Sequence, residues 1–121
     1  MCENGDIKDY PPFSVLMSLY YKEKPEYLRQ CFDSLLNQTV QANEWVIVKD
    51  GPLTGELEQV LHEYEHKNPN LIKYVAFEKN QGLGLALRAG VPACSNELIA
   101  RMDTDDICRE DRFEIQLQEF M

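Results

Sequence analysis

Asp103, Asp105 and Asp106 put three carboxylates within four residues, directly after the run Leu98-Ile99-Ala100-Arg101-Met102. Carboxylates this close repel one another, so the arrangement wants a compensating cation. On an irregular turn Asp103 and Asp105 can face one point, and oxygen donors of this kind suit a hard divalent ion. The apolar run ahead of them reads as a short buried strand, too apolar for a solvent-washed edge. The aspartates therefore stand at the carboxyl end of a strand, where open α/β sheets bind their ligands. A helix N-cap is the plainer reading, and it accounts for one aspartate of the three.

Other residues repeat this placement. Asp50 closes the run Glu44-Trp45-Val46-Ile47-Val48-Lys49 and is followed by Gly51-Pro52. Asp-Gly is a common turn pair, so a turn role and a ligand role both stand for Asp50. Tyr20 closes the run that starts at Phe13 and reads either as core or as part of a pocket. An aromatic ring and an acid at neighbouring strand ends fit a nucleobase, by stacking and by accepting its imino hydrogen.

Two further motifs carry less. Gly82-Leu83-Gly84 has the start of G-x-G-x-x-G, with Asp103 at about the ~20-residue spacing of a ribose-binding acid. Leu87 occupies the third glycine position, however, and the loop lies in the third βα unit instead of the first. Gly82 and Gly84 are read as letting backbone approach a ligand or a neighbouring loop. His62-Glu63-Tyr64-Glu65-His66 spells H-E-x-x-H, a zinc-protease signature. At about 100° per residue, Leu57, Leu61 and Tyr64 share one face and both histidines fall opposite it, toward solvent. That is a surface coincidence.

The elements that must carry these residues follow from periodicity. Apolar runs at 13–20, 44–50, 71–77 and 97–103 read as strands. Pro25 opens a helix with Leu28, Cys31, Phe32, Leu35 and Leu36 on one face, ending near Asn37-Gln38. Thr54 or Gly55 opens a second helix, with Leu57, Val60, Leu61 and Tyr64 buried, ended by Asn68-Pro69-Asn70. Gly82–Gly84 opens a third, in which Ala86, Ala89 and Gly90 permit close packing on a sheet. Asp111 caps a fourth, bearing Phe113, Leu117 and Phe120. The order βαβαβαβα predicts an α/β domain with a parallel sheet flanked by helices and right-handed crossovers. Residues 1–12 read as an irregular lead-in ending in Tyr10-Pro11-Pro12.

At 121 residues with 44% hydrophobic side chains, the chain suits one small domain. No stretch approaches the roughly 20 apolar residues of a membrane span. The polar, acidic first residues are not a secretory signal, so Asn37-Gln38-Thr39 is a chance sequon. Cys2, Cys31, Cys94 and Cys108 lack C-x-x-C spacing and read as reduced thiols of a cytoplasmic protein. The net charge of −9 repels nucleic acid and anionic membrane as partners. An anionic ligand would need a metal at the aspartates to bridge the mismatch.

Five segments in this order carry a family resemblance: Ser14-Val15-Leu16-Met17-Ser18-Leu19-Tyr20, Leu35-Leu36-Asn37-Gln38-Thr39, Val46-Ile47-Val48-Lys49-Asp50-Gly51, Asn80-Gln81-Gly82-Leu83-Gly84-Leu85-Ala86 and Met102-Asp103-Thr104-Asp105-Asp106. Over residues 13–121 the sequence resembles the nucleotide-sugar half of a family 2 glycosyltransferase with the Rossmann-like GT-A nucleotide-diphospho-sugar transferase fold. It is particularly similar to bacterial enzymes that build lipopolysaccharide, capsule and exopolysaccharide. The resemblance implies strand order 3-2-1-4, with Ser18, Tyr20 and Asp50 around uracil. Its D-x-D motif implies Asp103 toward ribose or metal, Asp105 as ligand of Mn²⁺ or Mg²⁺, and Asp106 beside them. The usual helix arginine has Leu87 in its place with Arg88 adjacent, and Arg88 is the residue then expected at the nucleotide-sugar.

Leu19, Tyr21 and Lys49 also depart from the usual Thr, Asn and Asp. The implied reaction is inverting transfer from a UDP-sugar to a glycan or lipid-linked saccharide acceptor. The implied place is the cytoplasm, at the inner face of the membrane in the full-length protein. The catalytic base of such enzymes belongs to the acceptor half, expected beyond Met121, so the fragment alone is expected to be inactive. The unfinished helical pattern and apolar Phe120-Met121 agree with more chain following. Two other readings remain, a different dinucleotide-binding α/β domain and a non-catalytic module. Metal-dependent binding of UDP against NAD separates them.

Overall fold

The apolar runs become strands because nearly every side chain in the central ones has a core to enter. In this computed structural model, which describes residues 10–120, β1 spans Phe13–Leu19, β2 Glu44–Lys49, β3 Ile72–Ala76 and β4 Leu98–Arg101. All pair in parallel, in the order β3-β2-β1-β4, as expected. The helices are α1 (Pro25–Leu36), α2 (Gly55–Lys67), α3 (Leu83–Gly90) and α4 (Arg112–Phe120), with a 3-10 turn at Val91–Ala93. Most of the expected lead-in at 1–12, together with Cys2, Met121 and the side chain of Phe120, lies outside the described residues.

Successive residues of a strand point to opposite faces, and the two faces here differ in depth. Val15, Met17, Leu19, Trp45 and Ile47 enter a large core with α1, α2 and α4. Leu16, Val46 and Val48 meet Ala86 in a smaller one beneath α3. Phe32 joins the large core at 5.1 Å from Trp45 and 5.0 Å from Tyr64, centroid to centroid. Phe113 anchors α4 at 4.9 Å from Phe13. On the α3 side, Gly90 lets the helix lie so low that a Cβ there would stand 2.4 Å from Leu16 Cδ1. Local chemistry agrees with the helix ends. Pro25 occupies the first turn of α1, and Thr54 Oγ1 accepts from Leu57 N at 3.2 Å to cap α2.

Three sequence readings gain detail. β4 is an edge strand, paired with β1 alone among the described residues, and Leu98, Ile99 and Ala100 are half-exposed instead of buried. Its apolar composition reflects the cores on its two faces, not a strand on each flank. Gln38, within the sequon, is buried at 4% and joins α1 to α4. Its amide donates to Arg109 O at 2.7 Å and accepts from Phe113 N at 3.2 Å. His62 and His66 both project into solvent, as the helical wheel requires. Replacing both with Gln is expected to shift unfolding free energy by less than about 0.5 kcal/mol, as at ordinary surface sites. A larger loss on urea denaturation, or stoichiometric zinc lost with the substitution, would contradict this reading.

At the amino end of the sheet Glu44 is a buried joint. It accepts from Ser14 Oγ at 2.6 Å and from Ser95 N, and it pairs with Lys73 Nζ at 3.3 Å. Burial alone would raise its pKa, but these donors outweigh burial and lower it below 4.5. A depressed folded-state pKa means stabilisation present above the unfolded value and lost as pH falls through the folded one. Glu44→Gln is therefore expected to cost stability at pH 7 and to flatten the fall in melting temperature as pH drops below the ordinary carboxylate value. An unchanged acid profile would exclude Glu44 as a contributor.

Candidate functional site

The carboxyl ends of β1, β2 and β4 open onto one crevice of about 440 Å³, within the size range of small-ligand sites. Parallel strands share a direction, so the first residues beyond each strand converge on the same rim. Ser18 and Tyr20 come from β1 and its exit, Asp50 from the exit of β2, and Asp103 and Asp105 from beyond β4.

On the β2 side, Asp50 N donates to Leu19 O at 2.8 Å, carrying the sheet ladder one residue past the strand. Asp50 is 3% exposed, and its carboxylate accepts from Gln81 N at 2.6 Å, Gly82 N at 3.0 Å and Asn80 Nδ2 at 3.2 Å. Asp50 thus fastens the loop that leads into α3, an anion set at a helix amino end. Gly51 completes the joint with φ of +93°, and a Cβ there would lie 2.7 Å from Asn80 N. The close approach of the two loops is therefore made at Gly51. Gly82 is needed for its φ of +99°, and a Cβ on Gly82 or Gly84 would meet no protein atom within 4 Å.

Tyr20 is 43% exposed, with its ring 6.0 Å from that of Tyr21 in an edge-on arrangement. It belongs to the crevice wall and not to the core. Lys49, the departure beside Asp50, points to the opposite face. Its Nζ meets Glu58 at 3.0 Å and lies over the Tyr74 ring at 4.5 Å, so that departure does not touch the crevice.

On the β4 side, Met102 N donates to Leu16 O at 3.1 Å and the chain then turns out of the sheet. Asp106 N donates to Asp103 O at 3.1 Å, closing a tight turn. The Cys31 thiol, 3.7 Å away, donates to the same carbonyl from beneath. Burial, with Cys108 and the nearby acids, pushes the Cys31 pKa well above the ordinary thiol range, so it remains a protonated donor. The turn exposes Asp103, Asp105 and Asp106 and buries Thr104. One carboxylate oxygen from each aspartate lies within 4.8 Å of the others.

The structure therefore brings together Ser18, Tyr20, Asp50, Asp103 and Asp105, with Asp106 in the acidic cluster. It does not bring Arg88 there. Ala86 faces the sheet from α3, and two residues on, about 200° around the helix, Arg88 projects outward. It lines a separate surface depression with Gly84, Leu87, Val91 and Arg101. Sequence reading missed Lys22, Glu23, Asn80 and Thr104, which also line the crevice. Asn80 had a usable signal, because it opens a glycine loop at the third strand end. Glu23 and Thr104 had none, since they meet only through the fold.

Comparison with known proteins agrees with this architecture. The sequence profile described as "Glycosyl transferase family 2" matches residues 14–121. An uncharacterized glycosyltransferase of Haemophilus influenzae is 54% identical over 105 residues, 87% of this chain and 39% of that protein. The amylovoran biosynthesis glycosyltransferase AmsE of Erwinia amylovora is 52% identical over the same shares. UDP-Gal:alpha-D-GlcNAc-diphosphoundecaprenol beta-1,3-galactosyltransferase of Escherichia coli is 42% identical, covering 88% of this chain and 38% of its own. The chain thus spans about two fifths of the length of these relatives. Among solved structures, S. aureus TarS 1-349 in complex with UDP is alike in fold, with a TM-score of 0.73 at 24% identity, covering 87% of this chain and 30% of that one. The parallel sheet flanked by helices is a partial GT-A fold. With the family profile running the whole length of the sheet and its rim, and relatives more than half identical, this chain belongs to glycosyltransferase family 2.

Proposed function

We propose that this chain is the donor-binding part of a divalent-metal-dependent, inverting glycosyltransferase that uses a UDP-sugar. Its proposed acceptor is a glycan or lipid-linked saccharide. The observation that carries the reading is the single crevice, which joins an aromatic ring and a buried acid on one side to the acidic turn on the other. The relatives support it. The E. coli relative is named for a UDP-sugar donor and a diphosphoundecaprenol-linked acceptor, and the E. amylovora relative for amylovoran biosynthesis.

Asp103, Asp105 and Asp106 fit a hard divalent ion, Mn²⁺ or Mg²⁺, because they offer exposed carboxylate oxygens close enough to share one point. Bound there, such an ion would supply positive charge against the developing charge of a departing diphosphate. The rest falls to the chain's own groups. Tyr20 offers a face for the uracil ring and Ser18 a hydroxyl at its edge. The Asp50 carboxylate accepts three N–H groups and has about four acceptor positions, so one remains for the imino hydrogen of uracil. In the proposed transfer an acceptor hydroxyl attacks the anomeric carbon opposite the diphosphate. The new C–O bond forms as the bond to phosphate breaks, and the proton passes to a carboxylate of the acceptor half. The proposed setting is cytoplasmic, at the membrane face that carries a lipid-linked acceptor.

Calorimetric titration of UDP into the chain, with Mn²⁺ and with EDTA, tests the reading. Tighter binding with Mn²⁺, and no comparable binding of NAD, is the expected result. NAD binding that exceeds UDP binding under both conditions would overturn it in favour of another dinucleotide-binding domain.

A further inference from the structure

Thr104 sits between the exposed aspartates yet is 4% exposed. Its hydroxyl donates to Glu23 Oε2 at 2.6 Å, across 81 residues of sequence. Glu23 is itself shaped by its own loop. Its other carboxylate oxygen accepts from Lys24 N at 3.0 Å, and its backbone N–H donates to Tyr20 O at 3.1 Å, closing the turn that leaves β1. That turn carries Tyr20, while Thr104 lies in the turn that carries Asp103 and Asp105. Both Glu23 and Thr104 also line the crevice. A short, charge-assisted O–H···O⁻ bond is among the stronger hydrogen bonds, and here it joins the two walls.

We propose that Glu23 and Thr104 form a positioning pair that sets the acidic turn relative to the β1 exit. Through it, the pair fixes the geometry with which the aspartates receive a metal-bound diphosphate. The inference rests on the function proposed above for the acidic turn. Glu23 acts through Thr104 and not as a ligand itself. The backbone supports this arrangement from two other sides, through Cys31 to Asp103 O and Asp106 N to Asp103 O. Neither of those ties the turn to the wall that holds Tyr20; the Glu23–Thr104 bond does.

The test uses the full 121-residue chain. Binding of UDP is titrated with Mn²⁺ and with EDTA, and amide exchange of residues 103–106 is followed without ligand. Thr104→Val keeps the shape and removes the hydroxyl. It is expected to weaken Mn²⁺-dependent UDP binding about fivefold to tenfold, to leave binding in EDTA within twofold, and to speed exchange at Asp106 N. Thr104→Ser restores both readouts. Glu23→Gln retains an acceptor and stays near wild type, whereas Glu23→Ala matches Thr104→Val. The Glu23→Ala/Thr104→Val double variant is no worse than either single one, as for two partners in one bond.

If Glu23→Gln loses as much as Glu23→Ala while Thr104→Val binds normally, Glu23 is a direct ligand and the pairing is overturned. Metal dependence in wild type that survives unchanged in Thr104→Val, with unchanged exchange, overturns the positioning pair alone. A wild-type chain whose UDP binding ignores Mn²⁺ overturns the reading of the acidic turn, and this inference with it.

Discussion

Asp105→Asn is expected to abolish most of the gain in UDP affinity that Mn²⁺ confers, a loss of at least about tenfold, or about 1.4 kcal/mol. The reason is charge. The chain carries −9 overall, and four of its acids, Asp50, Glu23, Asp103 and Asp105, stand on the crevice walls against the single cation of Lys22. An anionic diphosphate is repelled unless a cation reverses the local sign. Asparagine keeps the size of the side chain but offers a neutral carbonyl, a poorer donor for a hard ion. Asp105 is exposed and its neighbours are held by backbone, so the variant is expected to melt like wild type. Binding in EDTA should be equal in the two proteins. Equal metal dependence in both would remove Asp105 from the metal site.

Asp50→Ala is expected to act on two quantities at once. The substitution leaves the N–H groups of Gln81 and Gly82 without their acceptor and the amide of Asn80 with the backbone carbonyl of residue 50 alone. Hydrogen bonds to charged groups contribute about 1.5–3 kcal/mol each. The loop is partly exposed and water replaces some of that, so a total loss of about 2 kcal/mol by urea denaturation is expected. The same variant should bind UDP at least about tenfold more weakly whether Mn²⁺ or EDTA is present, because the base side has lost both its acceptor and the loop that frames it. Asp50→Asn should fall between, retaining one acceptor oxygen and adding a donor that faces other donors. Full stability with weakened binding would mean that Asp50 serves the ligand alone.

The sheet was readable because parallel strands bury both faces. Val15, Leu16 and Met17 are apolar in succession, and no solvent-facing strand tolerates that. The rim was readable because a carboxylate directly after such a run has no core to enter. What these acids do for the fold was not readable. Asp50 meets Gln81 and Gly82 some thirty residues away, and Thr104 meets Glu23 across the molecule. No local pattern encodes either meeting. Arg88 is the converse case, adjacent to a motif position in sequence but directed into a separate depression. One helical residue turns a side chain by about 100°, enough to take it out of a site. The apolar content of β4 likewise reports how many faces are covered, not whether a neighbour lies on each side.

The strand register has a further consequence. Leu19 pairs with Lys49, and Leu16 with Arg101, so β2 follows β1 three residues further than β4 does before each chain leaves the sheet. Under the proposed function the base side and the acidic turn therefore spring from exits offset by three residues, about 10 Å along the strands, with β1 between them. In that function a free base or a free phosphate engages only one of these exits. A molecule carrying both, joined by a ribose-length tether, presents its second end at high effective concentration once the first is seated. Under the proposed function, discrimination between a nucleoside diphosphate and its pieces follows from this three-residue offset between the two strands that flank β1.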